Sequence, residues 1–147
     1  MPGLIARASV GIDAPTNEVW HALIDPDRVE RYMFGTRVVT DWEVGGPITW
    51  SGEWQGNQYD DRGEILEFQP EQRLVCTHYS PLSGEPDRPE NYHTVAIDLA
   101  SSVMGTTVTL AQDNNQTEEA REHSEANWQS MFDSLKDHVE TKIEPGS

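Results

Sequence analysis

The chain has 147 residues, 26 of them acidic against 10 basic, for a formal net charge of -16. That balance opposes binding to nucleic acid or to an anionic membrane surface, because neutralising phosphates needs clustered Lys and Arg. No apolar run approaches the roughly 20 residues of a membrane-spanning helix, and the opening MPGLIARASV lacks the layout of a signal peptide, so the expectation is a soluble, cytoplasmic, single domain over residues 1–147.

In chain order, LIARASVGI alternates as a first strand with Ala6, Ala8, Val10 and Ile12 on one face. The period then changes: in DAPTNEVWHALIDPDRVERYM, Val19, Trp20, Leu23 and Ile24 form a helical stripe behind Pro15. Pro26 interrupts it, and a short second helix is expected from about Asp27 to Met33.

From Thr36 to about Asn114 the chain reads as six strands, near TRVVTDWE, ITWSGEW, QYDDRGEILEFQ, RLVCTHYS, NYHTVAIDLA and TTVTLAQDN. Turn signals VGGP and GN and the loop SPLSGEPDRPEN separate them. Period-two alternation places Ile48, Trp50 and Trp54, Leu66 and Phe68, His93, Val95, Ile97 and Leu99, and Val108 and Leu110 on an apolar face. Cys76 lies within RLVCTHY and reads as a buried structural thiol.

The segment EEAREHSEANWQSMFDSLKDHVETKI is a long helix whose Trp128, Met131, Phe132, Leu135 and Val139 share one side. Glu118, Glu119 and Glu122 occupy the dipole-favoured end. The fold class is therefore α+β, and this helix is the element long enough to cover the sheet's apolar face.

Four stretches carry a family resemblance: IDAPTNEVWHALIDPDRVERYM, GEILEFQPEQRLVCTH, GTTVTLAQ and NWQSMFDSLKDHVE. They resemble the START-like SRPBCC superfamily, in the branch named for homologues of the activator of heat-shock protein 90 ATPase. The resemblance implies a helix-grip fold: a curved antiparallel sheet of about seven strands wrapped around a long C-terminal helix, with two short helices after the first strand. It also implies a cavity between sheet and helix in many members. How completely Trp50, Trp54, Trp128, Met131 and Phe132 fill that space decides whether a ligand lies there.

The aromatic and sulfur side chains, Trp50, Trp54, Trp128, Met33, Met131 and Phe132, suit either a core or a pocket wall. A symmetric hairpin around SPLSGEPDRPEN sets His78 opposite His93, where a pair could bind a ligand oxygen or exchange a proton. Tyr79 and Tyr92 are further proton-handling candidates. Asp60, Asp61 and Glu64 match no metal spacing, so neither metal nor other cofactor is expected, and Asp61 reads as a surface partner of Arg62.

No G-x-S-x-G elbow, Walker loop, Rossmann fingerprint or H-E-x-x-H helix is present. The leading functional expectation is binding of a small hydrophobic or amphipathic molecule between sheet and helix. The alternatives implied by the resemblance are a polyketide cyclase, aromatase or hydrolase-like enzyme using His78, His93 and a tyrosine, and a regulator of a chaperone ATPase. Sheet edges and Ile143 allow a homodimer, which the charge of -16 opposes at low salt.

Overall fold

The computed structural model describes residues 4–54, 56–81, 84–103 and 105–142. Strand β1 (Leu4–Ile12) leads into helices α1 (Thr16–Ile24) and α2 (Pro26–Tyr32). Strands β2 (Arg37–Thr40), β3 (Pro47–Trp54), β4 (Asn57–Gln69), β5 (Arg73–His78), β6 (His93–Ser102) and β7 (Gly105–Asn115) follow, and helix α3 (Glu118–Lys142) closes the chain. The strands form one antiparallel sheet in the order β1-β7-β6-β5-β4-β3-β2. This is the expected helix-grip architecture.

Local chemistry explains the boundaries. Asp25 ends α1 and caps α2, its Oδ1 accepting the Asp27 N–H at 3.0 Å, so the second helix starts at Pro26, one residue earlier than the sequence suggests. Strand β2 is shorter than TRVVTDWE because Trp42 adopts a left-handed conformation (φ 61°) while Thr40 Oγ1 and Asp41 Oδ1 accept backbone N–H bonds from Trp42 and Glu43.

One face assignment needs correction. Leu66 was expected to share the inner face with Phe68, but it is 38% exposed while Ile65 is fully buried. The pairing of Ile65 with Cys76 and of Glu67 with Val75 leaves Leu66 as an extra residue, a β-bulge. The bulge reverses the parity of β4: Phe68 still packs on the core, and before the bulge the inward positions are odd-numbered, Asp61, Gly63 and Ile65.

The inner face has two ends. Leu74, Ile97, Leu99, Val108 and Ile12 pack with α1, α2 and the second half of α3, where Phe132, Leu135 and Val139 are at most 2% exposed. Arg28 is buried at the junction of the three helices; Nη2 donates to Glu18 Oε1 at 2.8 Å, Nε to His138 Nε2 at 3.1 Å, and Nη1 contacts His21 Nδ1 at 3.0 Å. Burial pushes the neighbouring Tyr32 phenol up. Cys76 lies in this core and its thiol is pushed up to about 12 by burial, as suits a structural residue.

Helix α3 also closes the outer edge of β1. Glu125 Oε2 accepts the Arg7 N–H at 3.0 Å, Gln129 receives from Ser9 N–H and donates to Ser9 O, Lys136 Nζ donates to Gly11 O, and Glu140 Oε2 accepts the Asp13 N–H at 2.9 Å. These residues recur at helical spacing beside the apolar stripe, so one helix buries the face of the sheet and satisfies its edge.

Two predictions follow from this packing. The N–H bonds from Arg7 and Asp13 hold Glu125 and Glu140 below the usual glutamate value of 4.5. A depressed folded value gives stability that is present above 4.5 and lost as pH falls through the folded values, so Glu125→Gln/Glu140→Gln should flatten the acid limb of the melting temperature against pH. An unchanged acid limb would count against the edge bonds. At Gly63, an added Cβ would overlap the Thr77 carbonyl of the adjoining strand, so Gly63→Ala should cost about 1–3 kcal/mol in urea denaturation, and an unshifted midpoint would refute the close approach.

Candidate functional site

The second end of the inner face is polar. Strand β5 ends on His78 and β6 begins on His93, and the register sets them directly opposite, as the symmetric hairpin predicts. Their rings lie 6.3 Å apart between centroids at an interplanar angle of 26°. Directly opposed residues of an antiparallel pair share a face, so both imidazoles stand on the inner side with Val95 and Cys76.

On the β4 side, Asp61 Oδ2 meets His78 Nε2 at 2.8 Å, with the Asp61 side chain 16% exposed. Asp61 is therefore not the surface partner of Arg62; Arg62 pairs with Asp87 at 3.2 Å on the other face. The bulge at Leu66 accounts for this, since it turns Asp61 inward with Gly63 and Ile65. Trp50, opposite Asp61 in the β3–β4 register, sets its ring 5.1 Å from His78 at 67°, an edge-on contact. Asp61 Oδ1 is buried and lacks a hydrogen-bond partner among the described residues.

On the β7 side, His93 Nδ1 lies 2.8 Å from the Asp113 carbonyl. A carbonyl only accepts, so Nδ1 carries the proton and Nε2 presents the lone pair of the neutral ring. By the same logic the Asp61 carboxylate takes the Nε2 proton of His78, which leaves Nδ1 as the bare nitrogen.

The wall from α3 is a hydrogen-bonded lattice. Trp128 Nε1 donates to Gln112 Oε1 at 2.5 Å, Gln112 Nε2 donates to Asn115 Oδ1 and Ser124 Oγ, and Ser124 Oγ donates to Asn115 Oδ1 at 3.1 Å. Gln112 and Asn115 are buried, and Asn115 Nδ2 also holds the Leu4 carbonyl, so this lattice ties β1, β7 and the first half of α3 together. Sequence patterning missed it because amides at strand ends carry no period-two apolar signal.

The remaining site candidates divide. Trp50, Trp128 and Met131 are partly buried against the core, whereas Phe132 is 2% exposed within it. The side chain of Trp54 lies outside the described ones. Tyr79 and Tyr92 stack on each other at 5.2 Å on the outer face, where Tyr79 Oη donates to the Glu85 carbonyl and Tyr92 Oη to Asp87 Oδ1. Each stands next to a histidine in sequence, so strand alternation turns it the opposite way, and the histidine–tyrosine combination is not brought together.

Two open grooves, about 730 Å³ and about 520 Å³, also lie beside the loop that carries Tyr92. The larger is lined by Thr49, Arg62, Glu64 and Thr77 together with Ile48, Asp61 and Gly63, and neither is lined by His78, His93, Trp50, Trp128, Met131 or Phe132. Among the described residues, no group of three or more His, Cys, Asp or Glu side chains is placed to hold a metal, and no helix is long and apolar enough to cross a membrane.

A curved sheet gripping one long helix, with a polar cluster where the grip opens, defines a START-like helix-grip domain. The chain belongs to the family described as Activator of Hsp90 ATPase homolog 1-like protein, whose profile matches residues 13–140. It is similar, at 48% identity and a TM-score of 0.84, to a Cytophaga hutchinsonii protein of known solution structure, over 97% of this chain and 98% of that one. The Aha1 dimer from Colwellia psychrerythraea is 19% identical with a TM-score of 0.74, over 96% and 99% of the two chains. DynU16, from the dynemicin biosynthetic locus, is 21% identical with a TM-score of 0.79, over 96% of this chain and 49% of that one. The last two likenesses show a shared fold. No curated protein matches the chain.

The lattice on α3 sets a measurable expectation. Trp128→Phe keeps the apolar ring but removes the donor to the buried Gln112 Oε1, so it should cost about 1–3 kcal/mol in chemical denaturation, and a cost within error of zero would show that the indole N–H carries no structural weight.

Proposed function

We propose that this domain binds a small amphipathic molecule at the polar end of the inner face, between the sheet and the first half of α3. The apolar body of the ligand lies against Trp50, Trp128 and Met131, and its polar head meets His78 and His93. One observation carries this reading: a sheet face that is otherwise packed with aliphatic side chains ends in Asp61, His78 and His93, with a buried carboxylate oxygen left unpaired. An unpaired buried polar atom costs free energy, so a fold that keeps one has reason to supply it with a partner. Phe132 acts in this reading as the floor, since it belongs to the core.

A second reading rests on the Asp61–His78 contact alone. A carboxylate that fixes the tautomer of an imidazole arranges it as a general base, so the same pocket suits proton transfer to a bound substrate, with His93 and not Tyr79 as the second group. Binding comes first in either case.

The test is native mass spectrometry of the freshly purified protein after incubation with a soluble metabolite extract, set against its denatured mass. The expected result is a discrete non-covalent adduct that is lost on denaturation and lost in Trp50→Ala and His93→Ala variants that melt as the parent does. An adduct retained by both variants would place the ligand elsewhere, and the absence of any adduct across extracts would sink the binding reading.

A further inference from the structure

We propose that the inner-face site selects a ligand whose polar head donates hydrogen bonds, a phenol or alcohol, and rejects carboxylates and phosphates. This rests on the binding reading above and adds the chemical class of the ligand.

The argument is an inventory of lone pairs and protons. His78 spends its N–H on Asp61 and His93 spends its N–H on the Asp113 carbonyl. Among the described residues neither His78 Nδ1 nor His93 Nε2 has a hydrogen-bond partner, so each ring in its neutral form offers one bare acceptor. The two fixed partners hold the rings from opposite sides, Asp61 from β4 and Asp113 from β7. Asp61 Oδ1 adds a third acceptor.

The donors on the α3 side are already engaged, and the indole N–H of Trp50 makes no hydrogen bond among the described residues. Trp128 Nε1–H, the Gln112 amide and the Ser124 hydroxyl all donate within the lattice on α3. A carboxylate or phosphate entering here would face the lone pairs of the two rings and the charge of Asp61, and it would do so in a chain of net charge -16. A hydroxyl meets the opposite situation, with up to three acceptors for its proton. A site built to receive a donor disfavours the analogue lacking it because the buried Asp61 Oδ1 is then left unpaired.

The experiment has two arms at pH 8. In the first, long-range ¹H–¹⁵N correlation of the imidazoles reads the tautomers without any ligand. The expected spectrum shows His78 protonated on Nε2 and His93 on Nδ1, with the His78 pattern altered in Asp61→Asn. The reverse tautomer at either histidine overturns the proposal while leaving the binding reading intact.

In the second arm, 2-naphthol, 2-naphthoate and naphthalene share one apolar body and are titrated against tryptophan fluorescence and backbone amide shifts. Naphthol should bind at least about tenfold more tightly than either of the others, and His78→Gln or His93→Gln should each remove about five- to tenfold of that affinity without lowering the melting temperature. Equal binding of naphthoate and naphthol, or naphthol binding indifferent to both histidines, overturns the selectivity. Failure of all three probes to perturb Trp50, His78 or His93 overturns the binding reading as well.

Discussion

The structure depends on how helix α3 attaches to strand β1. An edge strand presents unpaired N–H and C=O groups, and in most sheets those groups are either left to water or blunted by charge. Here they are taken up by Glu125, Gln129, Lys136 and Glu140, spaced so that each falls on the same side of the helix. The helix is thereby fixed along the edge at several points, and its neighbouring stripe of Phe132, Leu135 and Val139 enters the core in one register. With the helix position set, the amount of inner face it can cover is also set.

That constraint accounts for the two ends of the inner face. The second half of α3 works together with α1 and α2, and Arg28 links all three helices through Glu18, His21 and His138. The first half has no such helical neighbours and reaches the sheet through the hydrogen-bonded group of Trp128, Gln112, Asn115 and Ser124. Aliphatic residues fill the first region. Polar residues, Asp61, His78 and His93, collect on the second.

Much of this was legible in the sequence because period and turn chemistry specify it. Val19, Trp20 and Leu23, the stripe on α3, the alternation of Val95, Ile97 and Leu99, and the pairing of His78 with His93 all follow from regular spacing. Asp61 did not follow. The string YDDRGE reads as a solvated strand or turn, and the one inserted residue at Leu66 turns Asp61 inward. A bulge leaves no period of its own, so the most informative partner of His78 looked like a surface charge. Tyr79 failed for a simpler reason: adjacency in a strand means opposite faces, and the sequence already held that information.

The bulge also joins fold to site. Without it, β4 would present Leu66 to the core in place of Ile65 and Asp60 to the histidines' side in place of Asp61, with Arg62 turned inward as well. With it, Ile65 fills the core against Cys76, Gly63 lets β4 lie close on the Thr77 carbonyl, and Asp61 reaches Nε2 of His78. Exposing Leu66 is offset by burying Ile65, so the exchange is close to neutral in apolar area. The main consequence of the inserted residue is to aim a carboxylate at a histidine. The polar end of the inner face is thus set by backbone geometry in β4, which aims Asp61 at His78, and by β7, whose Asp113 carbonyl holds His93.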